Sequence, residues 1–320
     1  MIEAGDCVPI PLGESAQLAF QSAGQTKKYL VVPGGLYYFG KKPDGEVDAG
    51  RIALSTAEAT AASLPEAVAI TVNKPTSELP QPTVVIPVKI LFDDAEVLSR
   101  PVWEARARKR FDAASLLFKK YCFVEFRIVA VDSWHSDPAL ARLDEAFDEF
   151  ERLVAPAAGR VAIGFTARQH KKLQDHHLGG TRGPLHTHLL VREHVNKNSE
   201  GECLEVLVHE LGHYLGAAHS PEQNTVMRTI LGDRQARAAK FRVVFDPLNT
   251  MVMCLVSQEL ATRPEVRFRQ LSPATQTELR MIYAALAGAL PSDPTAPKFL
   301  QWLSETGASG RGVQSLPAFR

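Results

Sequence analysis

The stretch His209-Glu210-Leu211-Gly212-His213-Tyr214-Leu215-Gly216-Ala217-Ala218-His219 constrains this chain more than any other. Residues four apart on an α-helix share one face, one turn above the other, so His209 and His213 can grip a single ion from one helix. Leu204, Leu207, Val208, Leu211 and Leu215 recur at helical spacing and predict a buried stripe beside them. A third histidine six residues past His213 cannot reach that ion from the same helical face. The helix must end and the chain must swing back, and Gly216 can take a positive φ there at no steric cost. His219 then approaches from the following loop. Three neutral imidazoles are a normal zinc donor set that leaves a fourth position for water. Glu210, directly after the first ligand, can take a proton from that water and hand it to a leaving group. The pattern therefore predicts one Zn2+ ion held by His209, His213 and His219, with Glu210 as general base and acid. The plainer reading is a surface helix with solvated histidines, and the helix-ending glycine argues against it.

These residues resemble the metzincin clan of zinc endopeptidases, whose pattern is this extended motif followed by a turn with a methionine under the three histidines, the Met-turn. Here His219-Ser220 is followed by Asn224-Thr225-Val226-Met227. Ser220 and the short gap to Met227 look most like the matrixin branch, as does the segment from Leu271-Ser272-Pro273 to Met281-Ile282-Tyr283. Val124 to Trp134 and the helix after it look more like the adamalysin branch. The resemblance spans residues 84–290 and implies a zinc-dependent endopeptidase acting on protein or peptide substrates, with Met227 as the floor of the site. It implies an α+β fold: a twisted mixed sheet with two long helices, then the zinc helix, the Met-turn and a C-terminal helix. It also implies that an edge strand near Leu178–Gly183 pairs with an extended substrate. The chain departs from matrixins at Arg228-Thr229, where they usually carry Tyr-Pro, so substrate preference is not carried over. No tyrosine stands two residues past Met227, so a further tyrosine ligand is not expected. The resemblance implies a secreted or periplasmic protein, yet the opening residues Met1 to Asp6 show neither the basic start nor the apolar core of a signal peptide.

The pattern along the chain changes near residue 84. Residues 1–72 carry short apolar runs, Tyr29–Val32, Leu36–Phe39 and Ala67–Val72, punctuated by Pro33-Gly34-Gly35 and Pro43-Asp44-Gly45, and predict a small β-rich unit. Residues 73–83, with Pro75, Pro80 and Pro82, read as a linker. From residue 84 through the helix that carries His209 and His213 the chain then reads β-α-β-α-β-β-α. Val88, Ile90 and Phe92 alternate as a strand, with Pro87 at its start because proline cannot donate to an interior ladder. Pro101–Tyr121 predicts a helix burying Trp103, Ala107, Phe111, Ala114, Phe118 and Tyr121. Phe123–Val131, Val161–Thr166 and His188–Val191 predict further strands. Asp137 and Pro138 open a second helix that buries Leu140, Leu143, Phe147, Phe150 and Val154. Residues 228–270 read as less regular. Ser272 and Pro273 start the last helix, and residues 291–320 read as a tail with one amphipathic piece at Phe299–Leu303.

Several weaker features bound the function. Lys and Arg balance Asp and Glu at 36 each, with no basic stripe, so a nucleic-acid partner is not expected. No apolar run approaches a membrane span. Cys203 and Cys254 either close one disulfide or stay as thiols. Cys7 lacks the context of a zymogen switch. Matrixins hold a second, structural zinc upstream of the catalytic one. Asp175, His177, His186 and His188 match that pattern poorly, and His186 and His188 alternate along one strand face, so solvent-facing histidines are expected there instead. Two alternatives to a protease stay open: a silent zinc-bearing binding module of the same fold, and a latent form in which residues 1–80 cover the cleft.

Overall fold

The computed structural model describes residues 16–22, 24–31, 37–41, 46–51, 83–96, 98–140, 142–167, 179–193, 199–238 and 242–304. The chain divides into two compact units, one over Pro9–Pro82 and a larger one to which the described residues from Thr83 onward belong. The smaller unit holds two antiparallel hairpins. Strand β1 (Ala16–Ser22) pairs with β2 (Gln25–Val31), and β3 (Tyr37–Lys41) pairs with β4 (Val47–Arg51). Phe20 and Tyr29 stack diagonally across the first hairpin with ring centroids 5.6 Å apart. The apolar run Ala67–Val72, the segment 73–82 and Cys7 lie outside the described residues.

The larger unit is built on one five-stranded sheet in the order β6-β5-β7-β9-β8. Its strands are β5 (Val84–Asp93), β6 (Val124–Trp134), β7 (Val161–Thr166), β8 (Gly179–Thr181) and β9 (His188–Arg192). All pairings are parallel except β8 on β9. Helix α1 (Arg100–Cys122) crosses over between β5 and β6, and α2 (Leu143–Leu153) between β6 and β7. Strand alternation sends successive side chains to opposite faces. Leu91, Ala162 and Leu190 meet Phe147 and Phe150 of α2 on one face. On the other, Phe92 and Phe165 stack at 4.9 Å and meet Trp103 and Phe111 of α1. All six residues expected along the α1 stripe are buried. Helix α3 (Glu200–Tyr214) lies on the α1 face, where Tyr214 meets Phe126 edge to face at 6.1 Å. It begins at Ser199, whose hydroxyl accepts the Glu202 N–H while the Glu202 side chain returns to the Ser199 N–H.

Four sequence expectations are corrected here. Pro87 lies inside β5, not at its start. The β7 ladder begins only at Val88, so on that side of Pro87 no strand needs its missing N–H. The second helix begins at Leu143, not Pro138. Asp137 instead caps a single turn, its Oδ1 accepting the Ala139 N–H at 2.8 Å. Residues 228–270 are more regular than expected, for they hold α4 (Pro247–Thr262), which starts at Asp246 with Pro247 in its first turn. After α5 (Pro273–Ala289) the chain does not trail off either. Helix α6 (Thr295–Ser304) buries Phe299, which packs on Tyr283 of α5 at 5.4 Å. Cys122, Cys203 and Cys254 are free thiols, so Cys203 and Cys254 form no disulfide. No helix among the described residues is long and apolar enough to cross a membrane.

Candidate metal centre

His209 and His213 stand on adjacent turns of α3, and both are buried. The helix ends at Tyr214, and Gly216 follows at φ +93°. A side chain there would be strained by that φ, and its Cβ would lie 3.0 Å from the Tyr283 hydroxyl. The reversal is pinned from two helices. Tyr283 of α5 donates to the Gly216 carbonyl at 2.7 Å. Asn249 of α4 accepts the Ala218 N–H at 2.8 Å and donates to the Ala218 carbonyl at 2.9 Å. His219 is thereby brought back beside the other two rings, with centroids 5.4 Å from His209 and 5.0 Å from His213.

The hydrogen bonds fix which nitrogen each ring turns inward. A backbone carbonyl only accepts, so Nδ1 of His209 donates to Val226 O at 2.7 Å and Nδ1 of His213 donates to Ala217 O at 2.7 Å. Nδ1 of His219 lies 2.7 Å from Asp293 Oδ2 and 3.1 Å from Thr295 Oγ1. With the proton on Nδ1, each ring carries its lone pair on Nε2. The Nε2 atoms of His209 and His213 stand 3.0 Å apart, and ligand atoms of all three histidines lie within 4.8 Å of one another. Lone pairs that converge in a buried place repel unless a cation sits between them, so the donor set fits a tetrahedral zinc. Burial, then the neighbouring rings, holds His209 well below the usual histidine range. Burial first, then His219, takes His213 down to about 3. Neutral imidazole is the state a metal ligand needs.

Glu210 is buried, and among the described residues no cation or hydrogen-bond donor meets its carboxyl. Burial pushes its pKa up to about 8, and a divalent cation nearby would act the other way. Its cover is Gly179 of the edge strand β8, where a Cβ would lie 2.6 Å from Oε1. Met227 is fully buried and packs against Gly212 between the two helical histidines. Its carbonyl accepts the Ser220 N–H at 2.8 Å, and the residue before it supplies the acceptor for His209. Arg228, also buried, meets Glu205 of α3 at 2.6 Å and Asp233 at 3.0 Å, tying this turn to the helix. A buried guanidinium needs such partners.

Of the residues that the sequence singles out, His209, His213 and His219 come together, Met227 lies against Gly212 of the same helix, and Glu210 stands on that helix beside Gly179. The sequence reading misses Asp293 and Thr295 on α6 and its approach, the glycine over Glu210, and Asn249. Asp293-Pro294-Thr295 does carry a helix-start signal, but nothing local announces its contact with a histidine 74 residues earlier.

The second histidine group departs from expectation. His188 is buried, not solvent-facing, because α2 covers its face of the sheet. With His186 and Glu151 it forms a second cluster of metal-ligating types. Its ring is bonded at both nitrogens, to Val154 O at 2.8 Å and Thr187 Oγ1 at 3.0 Å. Glu151 accepts from Arg182 Nε at 3.0 Å. Asp175 and His177 lie outside the described residues.

The matrixin family model matches residues 141–246 of this chain. Over that segment, from α2 through the third histidine to the cap of α4, the chain resembles a metzincin-clan protease. A search of the curated proteins finds no match. Among solved structures, archaemetzincin from Methanopyrus kandleri is 14% identical and covers 55% of this chain and 89% of its own, at a TM-score of 0.35. A chaperone–substrate complex is 13% identical and covers 78% of this chain and 41% of its own, at a TM-score of 0.39. With scores below 0.5, neither overlay defines the fold, which rests on the strand order and helix placement given above.

Proposed function

We propose that the protein is a zinc-dependent endopeptidase in which His209, His213 and His219 hold the ion and Glu210 moves the proton. The observation that carries this reading is the convergence of three imidazoles whose Nδ1 atoms all face acceptors, beside a carboxylate with no cation of its own. The matrixin match over residues 141–246 supports it. Zinc bound there would supply a Lewis acid for the scissile carbonyl and bring the pKa of a water ligand to about 7.

The chain's own residues do the rest. Glu210 accepts the proton of the attacking water and returns it to the leaving amine. Its burial lets the charge act in a dry place, where electrostatic effects are strong. The turn at Met227 serves as the Met-turn, closing the site from below and supplying through Val226 the acceptor that orients His209. Strand β8 is the last in the sheet order, so its outer edge can pair with an extended peptide and hold one bond near the site.

The test measures zinc content and peptide cleavage together in wild type and Glu210→Ala. The expected result is one zinc per chain in both, with kcat/KM lower by about 10²–10⁴-fold in the variant. Equal cleavage by a zinc-loaded variant would rule the mechanism out.

A further inference from the structure

The three histidines are not held alike. His209 and His213 are fixed by the helix they stand on, and each donates its Nδ1–H to a neutral backbone carbonyl, His213 to Ala217 four residues on and His209 to Val226 seventeen residues on. His219 stands on a loop beyond the helix, where no helical neighbour sets its ring. Its partner is a carboxylate. Asp293 Oδ2 lies 2.7 Å from His219 Nδ1, and Thr295 Oγ1 lies 3.1 Å from the same atom. Asp293 is itself immobilised. Its Oδ1 accepts the Thr295 N–H at 2.9 Å, capping α6, and its backbone N–H donates to Leu290 O at 3.1 Å. Helix α6 in turn is anchored through buried Phe299, which packs against Tyr283 and Phe268, with buried Trp302 stacked on Phe299. Trp302 also fills the space beside Gly183, where a Cβ would lie 2.2 Å from its ring.

We propose that Asp293 is a positioning residue for the third ligand, so that the segment between α5 and α6, beyond the matrixin match at 141–246, completes the metal centre. The proposal rests on the zinc reading above. A carboxylate facing Nδ1 accepts the hydrogen bond of the Nδ1–H, fixes the tautomer with the lone pair on Nε2, and makes that nitrogen a stronger electron-pair donor than a backbone carbonyl partner would. The loop ligand, which has the most freedom to turn away, is the one given the charged partner.

The direct experiment is equilibrium zinc affinity, by competition with a chromophoric chelator, for the full chain and for Asp293→Asn. The asparagine keeps an oxygen for the Thr295 N–H but loses the charge and presents an N–H₂ group toward the ring. Zinc affinity should fall by roughly 10–100-fold, while the melting temperature of the zinc-free protein stays near that of wild type. Affinity within twofold of wild type would overturn the proposal. A second measurement needs no variant. Long-range ¹H–¹⁵N correlation of the zinc-free wild type should show His219 as the Nδ1–H tautomer, and an Nε2–H tautomer would overturn the assignment even if Asp293→Asn failed to fold. Should wild type take up no zinc, the hydrolase reading fails by itself, and the His219 tautomer still decides the role of Asp293.

Discussion

Two histidine clusters lie on opposite faces of one sheet, and they differ in what their polar atoms are left to do. On the α1 face, His209, His213 and His219 each donate Nδ1–H to an acceptor and turn Nε2 to a common point, beside an acid that Gly179 lies against. On the α2 face, His188 is engaged at both nitrogens and Glu151 takes a hydrogen bond from Arg182. Both clusters bring metal-ligating types together. Proximity of donors alone therefore does not make a centre. What distinguishes the first cluster is that its hydrogen bonds orient its lone pairs inward, whereas in the second both nitrogens of His188 are taken up by hydrogen bonds.

The largest effect should separate the clusters by metal content. Removing one ligand of three with His213→Ala should leave the purified protein with almost no zinc by plasma emission analysis. His188→Ala should leave it at one zinc per chain. Equal loss in both variants would break the contrast. A smaller effect should follow from the close approach of Gly179 to Glu210. Gly179→Ala puts a methyl where the Glu210 carboxyl sits, so the carboxyl must shift by about an ångström. Such a misplacement should cost on the order of 10²-fold in kcat with zinc affinity unchanged. Unaltered kcat would mean that Glu210 is not held by that strand.

The smallest effect concerns acid stability. Burial, then His188, takes His186 down to about 4. A histidine with a depressed folded pKa binds its proton more readily when unfolded, so its contribution to stability is present above the unfolded value near 6.5 and is lost as pH falls toward 4. His186→Asn should therefore flatten the decline of unfolding free energy between about pH 6.5 and 4, read by denaturant titration of the metal-free protein. Its side chain is 34% exposed, which keeps the change modest. An unchanged slope would contradict the burial argument.

Most of the candidate site is legible because its signal is local. Spacing along eleven residues fixes which imidazoles share a face, and Gly216 marks where the helix must stop. The same locality explains what sequence reasoning missed. His188 alternates correctly, but alternation names a face without saying that α2 covers it. Helix α4 falls within residues 228–270, which read as less regular because the apolar run Met251–Val256 is continuous and shows no one-sided spacing. Asp293 pairs with a residue 74 positions away, and only the packing of Phe299 on Tyr283 brings it there. Pro87 looked like a strand boundary because sequence does not tell where the neighbouring ladder begins.

Zinc K-edge X-ray absorption of the metal-loaded wild type tests the centre most directly. The account predicts three imidazole nitrogens at about 2.0–2.1 Å, one further light-atom ligand and no sulfur. A sulfur shell near about 2.3 Å, or fewer than three imidazoles around the ion, would contradict it.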